Sequence, residues 1–342
     1  MAHFTAKYLT TALATGLTLA LSGTAATAQD SSIIYITPNP IGNNPFLVLG
    51  RAGAEAAGEQ IGASVETYES EAPQAMLENL YAAASVGADI IIGISFSAVD
   101  GVMEVAPTAP DTDFLLVDAC PSEERPANVH CAVFREHESS FLMGAIAGLK
   151  TETGTVGVVG PIDIPFMHRF TGGFADGAKH VNPDVTVETR WVGGQNAFSD
   201  PVRAKEQALA LSAAGADVIY GAAAGGSYGV FEAASEQGFI TMAVDTIQCD
   251  AAPGQMYDVA LKQVDEAILQ SIEAIQGGAE AHFASYGLAE GGMGAVALSD
   301  PAVMAESGCM IAEDPEVAAQ LQAIAQEIID GTIEVNDPLM AN

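Results

Sequence analysis

Short apolar runs rich in β-branched residues alternate with longer alanine-rich stretches from position 29 onwards. Ile33 to Thr37 and Asp89 to Ile94 have the composition of buried strands, whereas Phe46 to Ile61 and Gln74 to Val86 have the apolar spacing of helices, the second ending at Gly87. The same alternation predicts further elements at 98–106, 114–117, 156–159, 186–192, 240–244 and 316–329. Strands alternating with helices indicate an α/β fold with parallel sheets.

One segment of this pattern occurs twice. Gly87-Ala-Asp-Ile-Ile-Ile-Gly93 is matched by Gly215-Ala-Asp-Val-Ile-Tyr-Gly221, and each copy leads through a small-residue loop into another helix. Two similar units predict two similar domains, and 342 residues are enough for both. In parallel sheets ligands bind beyond the carboxyl ends of the strands. We therefore expect a ligand cleft where the strand-end loops of the two domains face each other.

The charge balance narrows the range of functions. The chain has 44 acidic and 11 basic residues, which gives a formal net charge of −33. Such a surface repels phosphate backbones and anionic bilayers, so nucleic-acid binding and membrane-surface binding are both disfavoured. High surface charge is used by proteins of salty environments, and a merely acidic exported protein explains the composition equally well.

The first 28 residues have the features of an export signal. Lys7 gives a positive start, Leu9 to Leu21 form an apolar run, and Ala26-Thr27-Ala28 fits a cleavage site before Gln29. No cysteine follows the apolar run, so we expect a freely soluble exported protein starting near Gln29 and not a lipoprotein.

Four cysteines in an exported chain favour disulfides. Cys120 and Cys131 lie in one short segment, so we expect them to pair and to leave Cys249 and Cys309 for each other. Four cysteines allow three connectivities, and their spacing alone does not choose among them. The spacing is unlike that of a metal site, and we expect no metal and no other cofactor.

Two common signatures of enzyme active sites are missing from the sequence. It has no H-E-x-x-H pair and no G-x-G-x-x-G after the first strand. Gly144 to Thr151 has the wrong spacing for a phosphate loop, and the six histidines are scattered. We therefore expect a protein that is not an enzyme.

Most of the chain after the leader resembles the BMP (basic membrane protein) family of periplasmic substrate-binding proteins, which includes purine nucleoside receptors of ABC transporters. The resemblance rests on segments that occur in the family's order and spacing, namely 93–118, 128–160, 169–183, 198–211, 215–234, 244–248 and 261–265. The family's first loop usually reads D-K-S-F-N-Q, whereas here Asn43 to Val48 reads N-N-P-F-L-V. The polar residues after the phenylalanine are therefore missing.

The resemblance implies a type I periplasmic-binding fold, in which two Rossmann-like domains joined by three crossovers close on a small ligand. It places residues 29–136 plus 262–285 in the first domain and 137–261 plus 286–342 in the second. It also implies a monomeric receptor that delivers a nucleoside, with purine favoured, to a membrane permease. The alternatives are a receptor for a sugar or another small polar solute, a sensory solute receptor and, less favoured, an enzyme acting on a nucleoside or sugar.

A nucleoside receptor needs an aromatic side chain for the base and polar side chains for the base edge and the ribose hydroxyls. Asp118 and Asp245 each end an apolar strand, where a carboxylate without a partner is costly, and the resemblance assigns ribose binding to Asp245. The family's lysine corresponds to Lys262. Further ligand contacts are expected at Asn43, Asn44, Phe46, Ser95, Phe166, Trp191, Phe198 and Gly225. Asp100, Glu136, Glu313 and Asp314 are expected to be solvated surface residues.

Overall fold

The computed structural model describes residues 31–340, so the predicted export signal lies outside the described residues. The strands are β1 (Ser32–Thr37), β2 (Ser64–Glu69), β3 (Ile90–Ile94), β4 (Asp113–Val117), β5 (Val129–Phe134), β6 (Thr155–Gly160), β7 (Thr186–Trp191), β8 (Val218–Gly221), β9 (Ile240–Asp245), β10 (Met256–Lys262), β11 (Phe283–Tyr286) and β12 (Met293–Ala295). The α-helices are α1 (Pro45–Ile61), α2 (Pro73–Ser85), α3 (Val99–Val105), α4 (Glu136–Lys150), α5 (His168–Val181), α6 (Pro201–Ala213), α7 (Ser227–Gln237), α8 (Val264–Gln276), α9 (Pro301–Glu306) and α10 (Pro315–Ile329). Within residues 31–340, no helix is both long and apolar enough to cross a bilayer.

Within the described part of the chain, the strands form two six-stranded sheets of matching topology. The first has the order β11-β5-β4-β3-β1-β2 and the second the order β12-β10-β9-β8-β6-β7. All neighbouring pairs are parallel except β10 with β12. The two copies of the repeated segment contain β3 and β8, which occupy the same place in their sheets. The predicted α/β fold with two similar sheets is confirmed.

Between residues 31 and 340 the chain passes from one sheet to the other three times. Helix α4 leads from β5 in the first sheet to β6 in the second, α8 leads back from β10 to β11, and residues 287–292 lead from β11 to β12. Three crossings are what the type I periplasmic-binding fold requires. The domain boundaries implied by the family resemblance stay a prediction.

Helices α4 and α5 pack so closely that only glycine fits between them. A side chain at Gly144 would meet the carbonyl oxygen of Phe174 at 1.9 Å, and one at Gly177 would meet that of Phe141 at 1.9 Å. The contacts advance in the same direction along both helices, so the helices run parallel and their first turns lie side by side. This brings Arg169 of α5 to Glu136 of α4.

Two disulfides staple the structure. Cys120 is bonded to Cys131, and Cys249 to Cys309. This is the pairing expected from the sequence. The first joins residues 11 positions apart and the second residues 60 positions apart.

Removing the longer-range disulfide is expected to destabilise the protein more than removing the shorter one. Closing a longer loop removes more chain entropy from the unfolded state, about 4 kcal/mol for Cys249–Cys309 against about 3 kcal/mol for Cys120–Cys131. Urea unfolding of the two double Cys→Ala variants measures both losses at one temperature. An equal or reversed order would show that native-state contacts, and not loop entropy, set the difference.

Candidate functional site

A cavity of about 240 Å³ lies at the carboxyl ends of both sheets. We call each sheet with its loops and helices a half of the protein, and both halves contribute to the cavity wall. The first half contributes Pro38, Asn39, Asn44, Phe46, Leu47, Glu71, Ala72, Ser95, Phe96, Ser97 and Asp118, and the second contributes Phe166, Met167, Phe170, Gln195, Asn196, Ala197, Phe198, Ser199, Ala222, Ala224, Val244, Asp245 and Lys262. The volume lies below the range of about 300–1,000 Å³ that drug-sized ligands occupy, so the cavity suits a smaller molecule.

The two-fold repetition of the fold brings two aspartates into this cavity. Asp118 directly follows β4 and Asp245 ends β9, and these strands occupy equivalent places in the two sheets. Both residues have left-handed backbone angles, with φ of 88° and 76°. Such angles are costly for residues other than glycine and are concentrated at functional sites. The backbone strain therefore marks both strand ends as parts of the site.

Lys262 ends β10 and joins the two halves of the cavity. Its ammonium group is bonded to Asp118 and, at 2.9 Å, to Glu136, and it also lies 4.8 Å from the ring centre of Phe46. Only 3% of Lys262 is exposed. Burial acts to lower the pKa of this lysine, but the carboxylates around it raise the pKa above its usual value. Lys262 is therefore a permanently charged bridge within the site.

The two carboxylates on Lys262 titrate differently. Burial raises the pKa of Asp118, with Lys262 acting against the rise and Glu136 adding to it. Burial also acts to raise the pKa of Glu136, but Lys262 and Arg169 together lower it below its usual value. Glu136 therefore keeps its charge, and Asp118 takes the first proton as the pH falls.

Asp245 faces the cavity without such a bridge. None of the side-chain hydrogen bonds and ion pairs found in residues 31–340 includes its carboxylate, although only 6% of the residue is exposed. Burial raises its pKa to about 6, with Lys262 acting against the rise and Glu136 adding to it. A buried carboxylate with free acceptor positions is suited to accept hydrogen bonds from a ligand.

Phenylalanines form the apolar part of the wall. The ring centres of Phe96 and Phe166 are 5.5 Å apart, those of Phe96 and Phe198 are 6.2 Å apart, and Phe170 meets Phe166 edge-on. Phe46 faces the same cavity from the first turn of α1. These rings come from both halves, so a flat ligand between them would contact both.

Asn44 both lines the cavity and caps helix α1. Its side-chain oxygen accepts hydrogen bonds from the backbone N–H groups of Phe46 and Leu47 and so caps α1. Only its NH₂ group is left to donate to a ligand. Leu47, which follows Phe46, adds an apolar side chain to the wall where the family's first loop has an amide.

The residues expected from the sequence fall into two groups. The cavity wall includes Asn44, Phe46, Ser95, Asp118, Phe166, Phe198, Asp245 and Lys262. It does not include Asn43, Trp191 or Gly225. The ring of Trp191 covers Gly160 and packs on His168, whereas Asn43 and Gly225 approach each other from opposite halves.

Sequence reasoning misses or misreads some residues of the site. Phe96 lies in the strand-end loop that begins at Ser95, so its aromatic character was a usable signal. The expectation that Glu136 is a solvated surface residue is wrong, because it is 0% exposed and is bonded to Lys262 and Arg169. Lys262 and Arg169 are far from Glu136 in the sequence, so no local sequence pattern predicts these contacts. Among the described residues, no group of three or more His, Cys, Asp or Glu side chains is arranged to hold a metal ion.

The fold and this cavity define a class of protein. Two mostly parallel sheets, three crossings and a ligand-sized cavity between strand-end loops are the features of type I periplasmic binding proteins. The sequence profile of the Bmp family, described as ABC transporter substrate-binding protein PnrA-like, matches residues 31–337. The chain therefore belongs to this family of ABC transporter substrate-binding proteins.

Individual relatives agree with this assignment. The ABC transporter nucleoside-binding protein BmpA of Lactococcus lactis is 32% identical over 49% of this chain and 46% of its own length, so the match spans about half of that relative. The CD4+ T-cell-stimulating antigen of Listeria monocytogenes is 30% identical over 75% of this chain and 72% of its own. The crystal structure of an ABC transporter solute-binding protein from Aeropyrum pernix K1 superposes with a TM-score of 0.79 at 26% identity, covering 90% of this chain and 94% of that one.

Proposed function

We propose that the protein is a periplasmic nucleoside receptor of an ABC importer, with purine nucleosides favoured. The observation that carries the proposal is the combination of phenylalanines from both halves with Asp118 and Asp245 in one cavity of about 240 Å³. A nucleoside has a flat base that stacks on aromatic rings and a ribose diol that donates hydrogen bonds to carboxylates. The name of the Lactococcus relative, a nucleoside-binding protein, supports the same ligand class.

The roles follow from the chemistry of each wall. Phe46 and Phe198 offer faces for the base from opposite halves, and Asp245 has the free acceptor positions that ribose hydroxyl groups need. Asn39, Gln195 and Asn196 supply amides that both donate and accept, as the edge of a base requires. A ligand held between the halves stabilises the closed arrangement, which is how a receptor signals occupancy to its permease.

Charge sets a further limit on the ligand. Asp118, Asp245 and Glu71 line the cavity against one lysine, and the whole chain carries a net charge of −33. A nucleoside monophosphate would bring about −1.5 to −2 further charges into this environment. The proposed ligand is therefore the neutral nucleoside and not the nucleotide.

Thermal unfolding with added ligands tests the proposal. A nucleoside at about 100 times its dissociation constant is expected to stabilise the protein by about 2.7 kcal/mol. The panel contains inosine, adenosine, uridine, ribose, glucose and galactose, and adenosine monophosphate serves as the matched anionic control. A higher unfolding temperature with nucleosides, and an unchanged one with the monophosphate, supports the proposal.

A sugar receptor is the second candidate, because Leu47 adds an apolar side chain where an amide is expected to read the base. Hydroxyl groups of a sugar would use Asp118 and Asp245 in the same way. Stabilisation by glucose or galactose alone would keep the receptor and overturn the nucleoside assignment. Stabilisation by none of the panel would overturn both ligand assignments.

A further inference from the structure

A chain of alternating charges leads away from the ligand cavity to the segment that follows α10. We call this segment, residues 331–340, the strap. It has no regular secondary structure, and its Ile333 and Val335 pack on the main core. The chain of charges consists of Asp118, Lys262, Glu136, Arg169 and Asp337, of which only Asp118 and Lys262 line the ligand cavity.

Each link of this chain is a short ion pair. Glu136 accepts from Lys262 Nζ through Oε1 at 2.9 Å and from Arg169 Nη1 through Oε2 at 3.2 Å. Arg169 Nη1 also donates to the carbonyl oxygen of Phe134 at 2.8 Å, just before the chain first crosses between the sheets. Glu136 is fully buried, so both of its oxygen atoms depend on these cations.

The strap supplies the last link. Asp337 accepts from Arg169 Nε at 2.9 Å and from Nη2 at 2.6 Å, which is the bidentate geometry of a strong arginine–carboxylate pair. The side chains of Arg169 and Asp337 are only 10% and 15% exposed. This pair leaves a single nitrogen, Nη1, for Glu136 and Phe134.

We propose that Asp337 is a positioning residue of the ligand site. By binding two nitrogens of Arg169, it weakens the interaction of Arg169 with Glu136, so that Glu136 stays bonded to Lys262. This inference rests on the proposed function, because it assumes that a ligand binds beside Lys262. Without the negative charge of Asp337, the guanidinium group of Arg169 can rotate and donate more than one hydrogen bond to Glu136. Glu136 then shifts away from Lys262, and the ammonium group loses one of the two carboxylates that hold it beside Phe46.

The experiment compares Asp337→Asn with Glu334→Gln. Both substitutions remove one negative charge from the strap, but Glu334 is exposed and takes part in none of the ion pairs found in residues 31–340. Isothermal titration with inosine is expected to show affinity lowered by roughly three- to thirtyfold in Asp337→Asn and unchanged in Glu334→Gln. Asp337→Glu keeps the carboxylate and is expected to restore part of the loss.

A second readout needs no ligand. Acetylation by a water-soluble N-hydroxysuccinimide ester, followed by mass spectrometry of the peptides, reports how well each lysine is held. Lys262 is expected to react faster in Asp337→Asn than in the parent protein. Lys150, which pairs with Asp314 at 3.1 Å, serves as the internal reference because general loosening would expose it as well.

The two readouts separate the possible failures. Unchanged acetylation of Lys262, or an equal rise at Lys150, overturns the positioning role. A selective rise at Lys262 with unaltered inosine affinity also overturns it, since the ligand then does not depend on this lysine. If the parent protein binds neither inosine nor any other compound of the panel, the proposed function fails, while acetylation still decides whether the strap holds Lys262.

Discussion

Replacing Asp245 by asparagine is expected to weaken nucleoside binding by roughly 10- to 100-fold and at the same time to stabilise the empty protein. The loss follows because hydrogen bonds from ligand hydroxyl groups to a carboxylate contribute about 1.5–3 kcal/mol, and the amide that replaces it is a weaker acceptor. The gain follows because the ionised carboxylate is buried without a partner among the described residues. Binding and stability thus move in opposite directions at this residue.

The gain in stability depends on pH in a defined way. The pKa of Asp245 is about 6 in the folded protein against a reference value of 3.8, so the unfolded state ionises more readily than the folded state. Ionisation therefore opposes folding fully above about pH 6, and this opposition fades as the pH falls to about 4. We expect Asp245→Asn to raise the free energy of unfolding by roughly 1–3 kcal/mol at pH 7.5 and to leave it unchanged near pH 4.

Urea unfolding at both pH values, with isothermal titration of inosine at pH 7.5, measures the two effects. Asp100→Asn is the matched control, because Asp100 is an exposed aspartate of α3 outside the cavity wall. Unaltered inosine affinity in Asp245→Asn would remove Asp245 from the ligand site. A loss of stability at pH 7.5 would show that the carboxylate has a structural partner.

Replacing Lys262 by methionine is expected to destabilise the protein by about 3–5 kcal/mol. This is a much larger loss of unfolding free energy than the removal of a typical surface ion pair causes. Methionine retains the apolar volume but leaves the buried carboxylates of Asp118 and Glu136 without their shared cation. Nucleoside binding is expected to be lost as well, because Lys262 lies in the cavity wall beside Phe46.

Acidification provides an internal check on that explanation. Without the lysine, the pKa values of both carboxyls rise, that of Asp118 from above its usual value and that of Glu136 from below it, so lowering the pH returns stability to the variant. Urea unfolding at pH 7.5 and pH 5 is expected to show a smaller loss at pH 5. Lys205→Met is the control, since its two glutamate partners are exposed and exposed ion pairs contribute little to stability. A loss for Lys262→Met that is the same at both pH values would assign the effect to packing.

The central elements of the fold were predictable because their apolar pattern is strong. Predicted strands at Ile33 to Thr37 and Asp89 to Ile94 correspond to β1 and β3 within one residue at each end, and the predicted helix Phe46 to Ile61 corresponds to α1. Strand β2 was missed because it lies at the sheet edge and its sequence, SVETYE, is largely polar. An edge strand is paired on one side only and needs little apolar surface.

The site was predictable where chemistry follows from topology. Asp118 and Asp245 each stand at the end of an apolar strand, and that position alone places a carboxylate at the ligand edge of the sheet. Glu136 was misread because its burial depends on Lys262 and Arg169, which are 126 and 33 positions away. Trp191 was expected in the site from its place at a strand end, but its ring covers Gly160 outside the cavity.

The chain of charges that runs through Lys262 also affects the order in which parts of the protein fold. Its members lie at positions 118, 136, 169, 262 and 337, so every ion pair except Glu136–Arg169 joins residues more than a hundred positions apart. Contacts of such long range form late, because the entropy of closing the intervening chain must be overcome first. A partly synthesised molecule that ends before Lys262 can therefore have strands β1 to β5 of the first sheet and still lack a binding site.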